Sequence, residues 1–376
     1  MSGPLNGLRI IEFAGIGPAP FCGMMLADHG AEVIRIDRIG AMIIPNDPLG
    51  RSKKSIVVDV KSQEGLALTR ELIAKADGLI EGFRPGVMER MGLGPEQLMK
   101  DHPKLVYGRM TGWGQTGPYA QAAGHDINYI ALSGVLHTCG RVGEKPTPPV
   151  NYLGDFGGGA MMLAFSMTAA LLSVARGGKG NVIDCAMTDG SAVLSALTWG
   201  LKNIGMWEDE RGINLLDTGA HFYDTYETKD GKFVSIGAIE PQFYEILCDK
   251  AGLIDDTDFA AQRDQMKWPV LKEKLSKIFK TKTREEWCSI LEHTDACFAP
   301  VLSMEEAPEH AHNVARNTFT QVGGQTQPSP APHYDHARLD APRPSPSVGA
   351  DTDEIMELIG RKKGTIMQLR DQGIIS

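Results

Sequence analysis

Residues 8–37 read LRIIEFAGIGPAPFCGMMLADHGAEVIRID. Two short apolar runs, 8–13 and 32–37, flank a segment at 21–29 whose apolar residues recur at helical spacing, and Gly30 is placed to stop that helix. The pattern is strand–helix–strand. The connecting turn, Ala14-Gly15-Ile16-Gly17-Pro18-Ala19-Pro20, invites a dinucleotide-binding reading, with Asp37 at the usual distance. That reading fails on detail. Pro20 stands where the third glycine belongs, and Pro18 removes a backbone donor that a pyrophosphate would need. The turn is read instead as a strand-to-helix connection with proline starting the helix.

Outward from this unit the alternation continues. Strands are expected at 55–59, 79–82, 105–110 and 181–187, with a helix at 63–74, which predicts a mostly parallel, Rossmann-like α/β sheet. Residues 160–175 read as a buried helix, and 191–203 as a helix with few charges. The pattern then changes. Two strands, 222–228 and 233–239, meet through Lys229-Asp230-Gly231-Lys232, a hairpin signal, and helices follow at 242–251, 269–279 and 284–293. A Pro/Gly/Gln-rich stretch at 323–347 reads as an extended linker, and the tail is helical again at 352–359 and 363–372. The expected division is a large domain of 1–200 with 325–376, and a linker with a small α+β domain at 201–324.

Composition narrows the function classes. With 376 residues, 42% hydrophobic and 23% charged, the chain is an ordinary globular protein of about two domains. No apolar run reaches the roughly 18–20 residues of a membrane span, and neither end resembles a signal peptide or a peroxisomal address, so a cytoplasmic protein with no membrane role is expected. The net charge of −9 argues against nucleic acid as a partner. Residues 205–310 hold 22 Asp/Glu against 12 Lys/Arg, which leaves a basic patch at 35–61 containing Arg35, Arg38, Arg51, Lys53, Lys54 and Lys61. Such a patch suits either a solvated face or a small polyanion. The six cysteines form no C-x-x-C pair and are read as reduced thiols, with no metal site.

Three segments carry candidate chemistry. Gly124-His125-Asp126-Ile127-Asn128-Tyr129 precedes an apolar stretch at 130–136 of helical spacing, which places His125 at a helix N-terminus. Free amides there can hold an oxyanion, and the same dipole would keep the imidazole neutral and basic. The alternative is a histidine that only caps or packs. Asn151 to Gly159 carries Asp155 before the apolar helix. Asp155 reads equally as an N-cap, which would lower its pKa, or as a general acid, which needs it raised. Glu240 stands where the hairpin hands over to a helix beginning at Pro241. The 17 methionines read as core filler or as an adaptable apolar surface.

Together with Arg35-Ile36-Asp37-Arg38, residues 110–117 and Gly237–Tyr244, these segments resemble the α-methylacyl-CoA racemases, a branch of the CoA-transferase family III superfamily. The resemblance runs from about Leu5 to Val322 and leaves the 323–347 linker unmatched. It implies an interlocked homodimer with a large Rossmann-like domain completed by the C-terminal tail, and a small domain covering the partner's active site. It implies CoA contacts at Arg38 and Val58-Asp59-Val60-Lys61, with Arg51, Lys54 and Arg84 as weaker candidates, so the basic patch becomes a ligand site.

The implied reaction inverts the α-carbon of 2-methylacyl-CoA thioesters. The α-hydrogen is a very weak acid, and each unmatched pK unit costs about 1.4 kcal/mol, so the enolate oxygen must be stabilised. His125 and Asp155 are then the proton-transfer pair on opposite faces, with the Asp126 amide as oxyanion donor. The resemblance further implies that Glu240 orients or charge-stabilises His125 across the dimer interface, that Asn151 holds Asp155, and that Tyr223 contacts the site. No cofactor is needed, since CoA is part of the substrate. The alternative within the superfamily is a CoA-transferase in which Asp155 is the nucleophile; His125 is the residue expected to separate the two.

Overall fold

The computed structural model describes residues 2–41 and 44–376. Met1, which belongs to the stretch read for a signal peptide, and Met42 and Ile43, inside the basic stretch, lie outside the described residues. The chain forms two compact units: residues 1–133, 150–194 and 317–376 make the larger, and 134–149 with 195–316 the smaller.

The larger unit is built on six parallel strands: β1 (Arg9–Phe13), β2 (Glu32–Asp37), β3 (Lys54–Val57), β4 (Gly78–Glu81), β5 (Val106–Thr111) and β6 (Val182–Ala186), in the order β3-β2-β1-β4-β5-β6. Strands buried on both faces are rich in apolar residues; Ile10 and Ile11 of β1 and Leu79 and Ile80 of β4 are fully enclosed, and the charged Glu12 and Glu81 in the same strands are buried with them. The strand order reverses between β1 and β4. In open sheets of this kind the ligand crevice lies at the carboxyl ends of the strands flanking that reversal.

Helix Pro18–Asp28 starts at Pro18 as expected, with Gly17 at φ 71° turning the chain out of β1. Its packing depends on an ion pair at the centre of the unit. Lys53 and Glu12 are wholly buried, with the ammonium 2.7 Å from both carboxylate oxygens and 2.9 Å from the Pro20 carbonyl. Burial pushes the Glu12 carboxyl up and the Lys53 ammonium down, each partner opposing the shift of the other. Gly23 is needed here, because a Cβ would overlap the Glu12 carboxylate.

The tail lies on the same unit. Ile355, Met356, Ile366 and Ile375 enter the core that contains Ile34, Ile56 and Leu72, and Asp59 N–H donates to the Ile374 carbonyl at 2.8 Å. The stretch expected to be an extended linker opens instead with a hairpin, β10 (Phe319–Val322) and β11 (Gln325–Pro328), turned by Gly323 and Gly324 at φ 58° and 80°. Two consecutive glycines with positive φ make the tight turn that composition alone disguised as a linker.

The smaller unit carries an antiparallel sheet, β7 (Tyr223–Glu227), β8 (Phe233–Gly237) and β9 (Phe298–Val301), against helices Pro241–Lys250, Trp268–Phe279 and Arg284–Leu291. Trp287, Phe222, Phe279 and Leu291 form its core. Two helices expected to be continuous are broken where the chain passes between units. The one after His125 stops at Leu132, and Gly134 at φ 87° turns the chain into the smaller unit, where Arg141 pairs with Asp224 at 2.9 Å. The 191–203 helix is two, Met187–Leu194 and Ala196–Asn203, separated at Ser195.

Residues 160–175 also depart from expectation. A π-helical turn, Tyr152–Met161, runs into helix Met162–Ala175, and together they give a predominantly apolar stretch of 24 residues, long enough by length and composition to cross a membrane. Leu163 and Met167 pack on the sheet, whereas Met161, Phe165 and Leu172 are exposed, so this helix is buried on one side only.

Removing one member of a buried pair leaves an uncompensated charge. Lys53→Ala is expected to lose about 3–5 kcal/mol of stability in urea titrations, and Glu12→Leu with Lys53→Met to recover most of it; a loss in the single variant of under about 1 kcal/mol, the scale of an exposed pair, contradicts this account of the core.

Candidate active site

A cavity of about 810 Å³ opens at the carboxyl ends of β1, β4 and β5. The turn at Ile16–Ala19 forms one wall, Gly82–Pro85 a second, and Thr111–Trp113 a third. Two further segments supply the chemistry: Gly124, His125, Asn128 and Tyr129, and Asn151, Asp155 and Phe156. Among the described residues, His125 and Asp155 are its only lining groups with ordinary pKa values between about 3 and 8.

His125 is the N-cap of helix Asp126–Leu132, in extended conformation. Its N–H donates to Asn128 Oδ1 at 3.1 Å, and its carbonyl accepts the Asn128 N–H at 2.8 Å. The amides of Asp126 and Ile127, the first two helical positions, have no acceptor within the helix. An aromatic lock holds the loop. The Tyr129 hydroxyl donates to the Gly124 carbonyl, the Trp113 ring meets Tyr129 edge-on at 4.8 Å, and Gly112 leaves room that a Cβ would take from the Tyr129 ring. His125 itself is exposed on the cavity.

Asp155 sits in the π-helical turn, which is wider than an α-helix and is often found at functional sites. The glycines permit it. Gly158 lies against Ser191, and Gly159 against Met187 and Pro18, at distances that leave no space for a Cβ. Asn151 Nδ2 donates to Asp155 Oδ2 at 3.0 Å, and the Asp155 N–H donates to Asp126 Oδ1 at 2.7 Å. Burial raises the Asp155 carboxyl above its ordinary value, with the Asn151 bond and His125 opposing and Asp126 reinforcing. The N-cap alternative is thereby corrected. Asp155 lies inside a helical turn rather than at a helix start, and its pKa moves in the direction a proton donor requires.

A second cavity, about 600 Å³, adjoins the first and shares Ile16, Gly17, Leu49 and Phe83 with it. Arg35, Arg38, Val58 and Val60 line it, along with Ser345 and Val348 of the tail. Arg84 lines the first cavity. Asp59 and Lys61 line neither, although Lys61 is exposed beside the second.

Two of the weaker basic candidates are committed to ion pairs within the fold. Arg51 is buried, paired with Asp28 at 2.5 Å, and donates to the Pro328 carbonyl at 2.6 Å. Lys54 bonds Glu32 at 2.6 Å and Glu354 at 2.7 Å. Both cations are engaged in holding the fold, a distinction that a count of basic residues does not carry. Of the lining residues, Leu49, Phe83, Trp113 and Met187 were missed by sequence reasoning; the signal that points to Phe83 and Trp113 is their position just after β4 and β5.

Glu240 and Tyr223 belong to the smaller unit. Glu240 is the exposed N-cap of helix Pro241–Lys250, and its carbonyl accepts the N–H groups of Phe243 and Tyr244. Tyr223 opens β7 and lines a shallow groove with Gly237 and Cys297.

A family model described as CoA-transferase family III matches residues 5–352. The chain belongs to CoA-transferase family III. It is 46% identical over 373 residues to the alpha-methylacyl-CoA racemase of Mus musculus, covering 99% of this chain and 97% of that one, and 45% identical to its Homo sapiens counterpart with the same coverage. Among solved structures, a CaiB/BaiF family protein from Brucella suis superposes with a TM-score of 0.82 at 25% identity, over 96% of this chain and all of the other.

The Asn151 bond stabilises the Asp155 carboxylate. Asn151→Ala is therefore expected to move the Asp155 titration, followed by carbon-13 NMR, to higher pH; an unmoved or lowered titration contradicts the assigned geometry.

Proposed function

We propose that this chain is an α-methylacyl-CoA racemase that interconverts (S)- and (R)-2-methylacyl-CoA thioesters by 1,1-proton transfer through an enolate. The observation that carries the reading is the pairing of His125 and Asp155 in one cavity at the strand-order reversal. The racemase name borne by relatives 45–46% identical over almost the whole chain supports it.

The chemistry follows from the two groups. His125 removes the α-proton of the S epimer, and Asp155, its carboxyl raised by burial, returns a proton from the opposite face. The roles exchange in reverse. As the proton leaves, charge grows on the thioester oxygen, and the free amide of Asp126 at the helix start is the donor assigned to it. Ile127, next in the helix, and the Gly124–Tyr129 loop frame that donor. CoA runs along the adjoining cavity, with Arg38, Val58 and Val60 on its wall, Asp59 and Lys61 beside it, and Arg84 towards the thioester. No metal or organic cofactor takes part in the scheme.

A second copy of the chain completes the site. Its exposed Glu240 supports the His125 imidazole, and its Tyr223 contacts the acyl end. The exposed apolar residues suit such an interface: Met161, Phe165 and Leu172 in the larger unit, and Leu197, Trp199 and Ile204 in the smaller. This occupant also accounts for the apolar helix without a membrane.

The transferase alternative uses Asp155 as a nucleophile, and the exposed His125 that lines the same cavity is what favours proton transfer. With pure (S)-2-methylacyl-CoA, wild type is expected to lose optical activity, and His125→Ala and Asp155→Ala each to fall by about a thousandfold or more. Sedimentation is expected to give a dimer. Full epimerisation in either variant, or an acyl adduct on Asp155 trapped by hydroxylamine, contradicts the reading.

A further inference from the structure

The scheme above uses the amide of Asp126 and leaves its side chain without a task. That side chain is buried, 6% exposed, behind the cavity wall. Its Oδ1 accepts the Asp155 N–H at 2.7 Å. Its Oδ2 is buried and has no hydrogen-bond partner within the protein among the described residues. Gly154 permits the approach, because a Cβ there would stand 2.5 Å from Oδ1 and 3.2 Å from the Asp126 Cα. The dipeptide His125-Asp126 thus touches both proton-transfer residues: one is its first member, and the backbone of the other hangs on its second.

An asparagine would accept the same N–H without a charge. A buried carboxylate with an orphan oxygen is costly to keep. What it adds over the amide is negative charge, and that charge acts on Asp155. The other groups facing Asp155 do not duplicate it. His125 and Asn151 favour the Asp155 anion, and Tyr129 lies on the same helix as Asp126. The turn before helix Pro18–Asp28 offers the uncharged Gly17. Helix Met187–Leu194 packs on the π-helical turn through Met187, Gly190 and Ser191, and its one carboxylate, Asp189, is exposed.

We propose that Asp126 is a positioning residue for the proton transfer, its carboxylate locking the Asp155 turn to the residue after His125 and setting a negative charge behind the proton donor. The inference rests on the racemase reading and names a residue that reading does not use in this way.

The test is the pH dependence of kcat/KM for each epimer in wild type, Asp126→Asn and Asp126→Ala. The kcat/KM values of the two epimers share one pH profile, because their ratio is the pH-independent equilibrium constant, and both directions need His125 and Asp155 to hold one proton between them. On the acid limb activity rises with pH as the pair gives up its second proton. Removing the neighbouring charge makes the Asp155 carboxyl easier to ionise, so the acid limb of each epimer's profile is expected to move to lower pH in Asp126→Asn, with the hydrogen bond retained. Asp126→Ala loses the bond as well, and kcat is expected to fall about 100-fold. A residue that served the fold alone would lower the melting temperature and leave the Asp126→Asn acid limbs in place. Acid limbs that stay, or move upward, in folded Asp126→Asn overturn the proposal while wild type still epimerises. A wild type that does not epimerise overturns the racemase reading instead.

Discussion

The Glu12–Lys53 pair is the constraint from which the larger unit is organised. Glu12 stands in β1, the strand on one side of the order reversal, and Lys53 enters from the residue before β3. Their charges are out of reach of water, so each requires the other at hydrogen-bond distance. The Pro20 carbonyl is drawn into the same contact, and this seats the start of helix Pro18–Asp28 on the sheet. That helix start is also the shared wall of the two cavities and the uncharged neighbour of Asp155. A buried electrostatic requirement thereby sets the position of a surface that carries no charge.

On the other side of the cavity the constraint is steric. Glycine at 112, 124, 154, 158 and 159 allows Tyr129, Trp113, Asp126, Ser191 and Met187 to approach the backbone more closely than any Cβ would permit. The consequence is a wide turn for Asp155 and a locked loop for His125. The backbone of each residue is fixed, the Asp155 carboxyl is also oriented by Asn151, and both side chains line the cavity.

Much of the large sheet was legible in the sequence. Strands buried on both faces read as apolar runs, and proline and glycine marked the first helix at both ends. The hairpin at Asp230-Gly231 was equally plain. Less legible was whatever depends on a partner far along the chain. Arg51 and Lys54 look like Arg38 in a list of basic residues, and only tertiary contacts with Asp28, Glu32 and Glu354 distinguish them. The π-helical turn has the composition of an N-terminal cap followed by a helix, so the direction of the Asp155 pKa could not be read. The breaks at Gly134 and Ser195 fall where the chain changes unit, which apolar periodicity does not record. The pairing of His125 with Asp155 came from matched motifs, whereas the burial that makes the pairing chemically useful came from the fold.

The central claim is that two different groups hold the two faces of one α-carbon. Its most direct measurement is the isotope content of each epimer at early times, starting from protiated (S)-2-methylacyl-CoA in deuterium oxide. Two acid/base groups predict that the (R) product carries α-deuterium from the first turnovers while the remaining (S) substrate stays largely protiated. Inversion with the original proton retained in the (R) product, or no α-exchange by an active enzyme, would contradict the account.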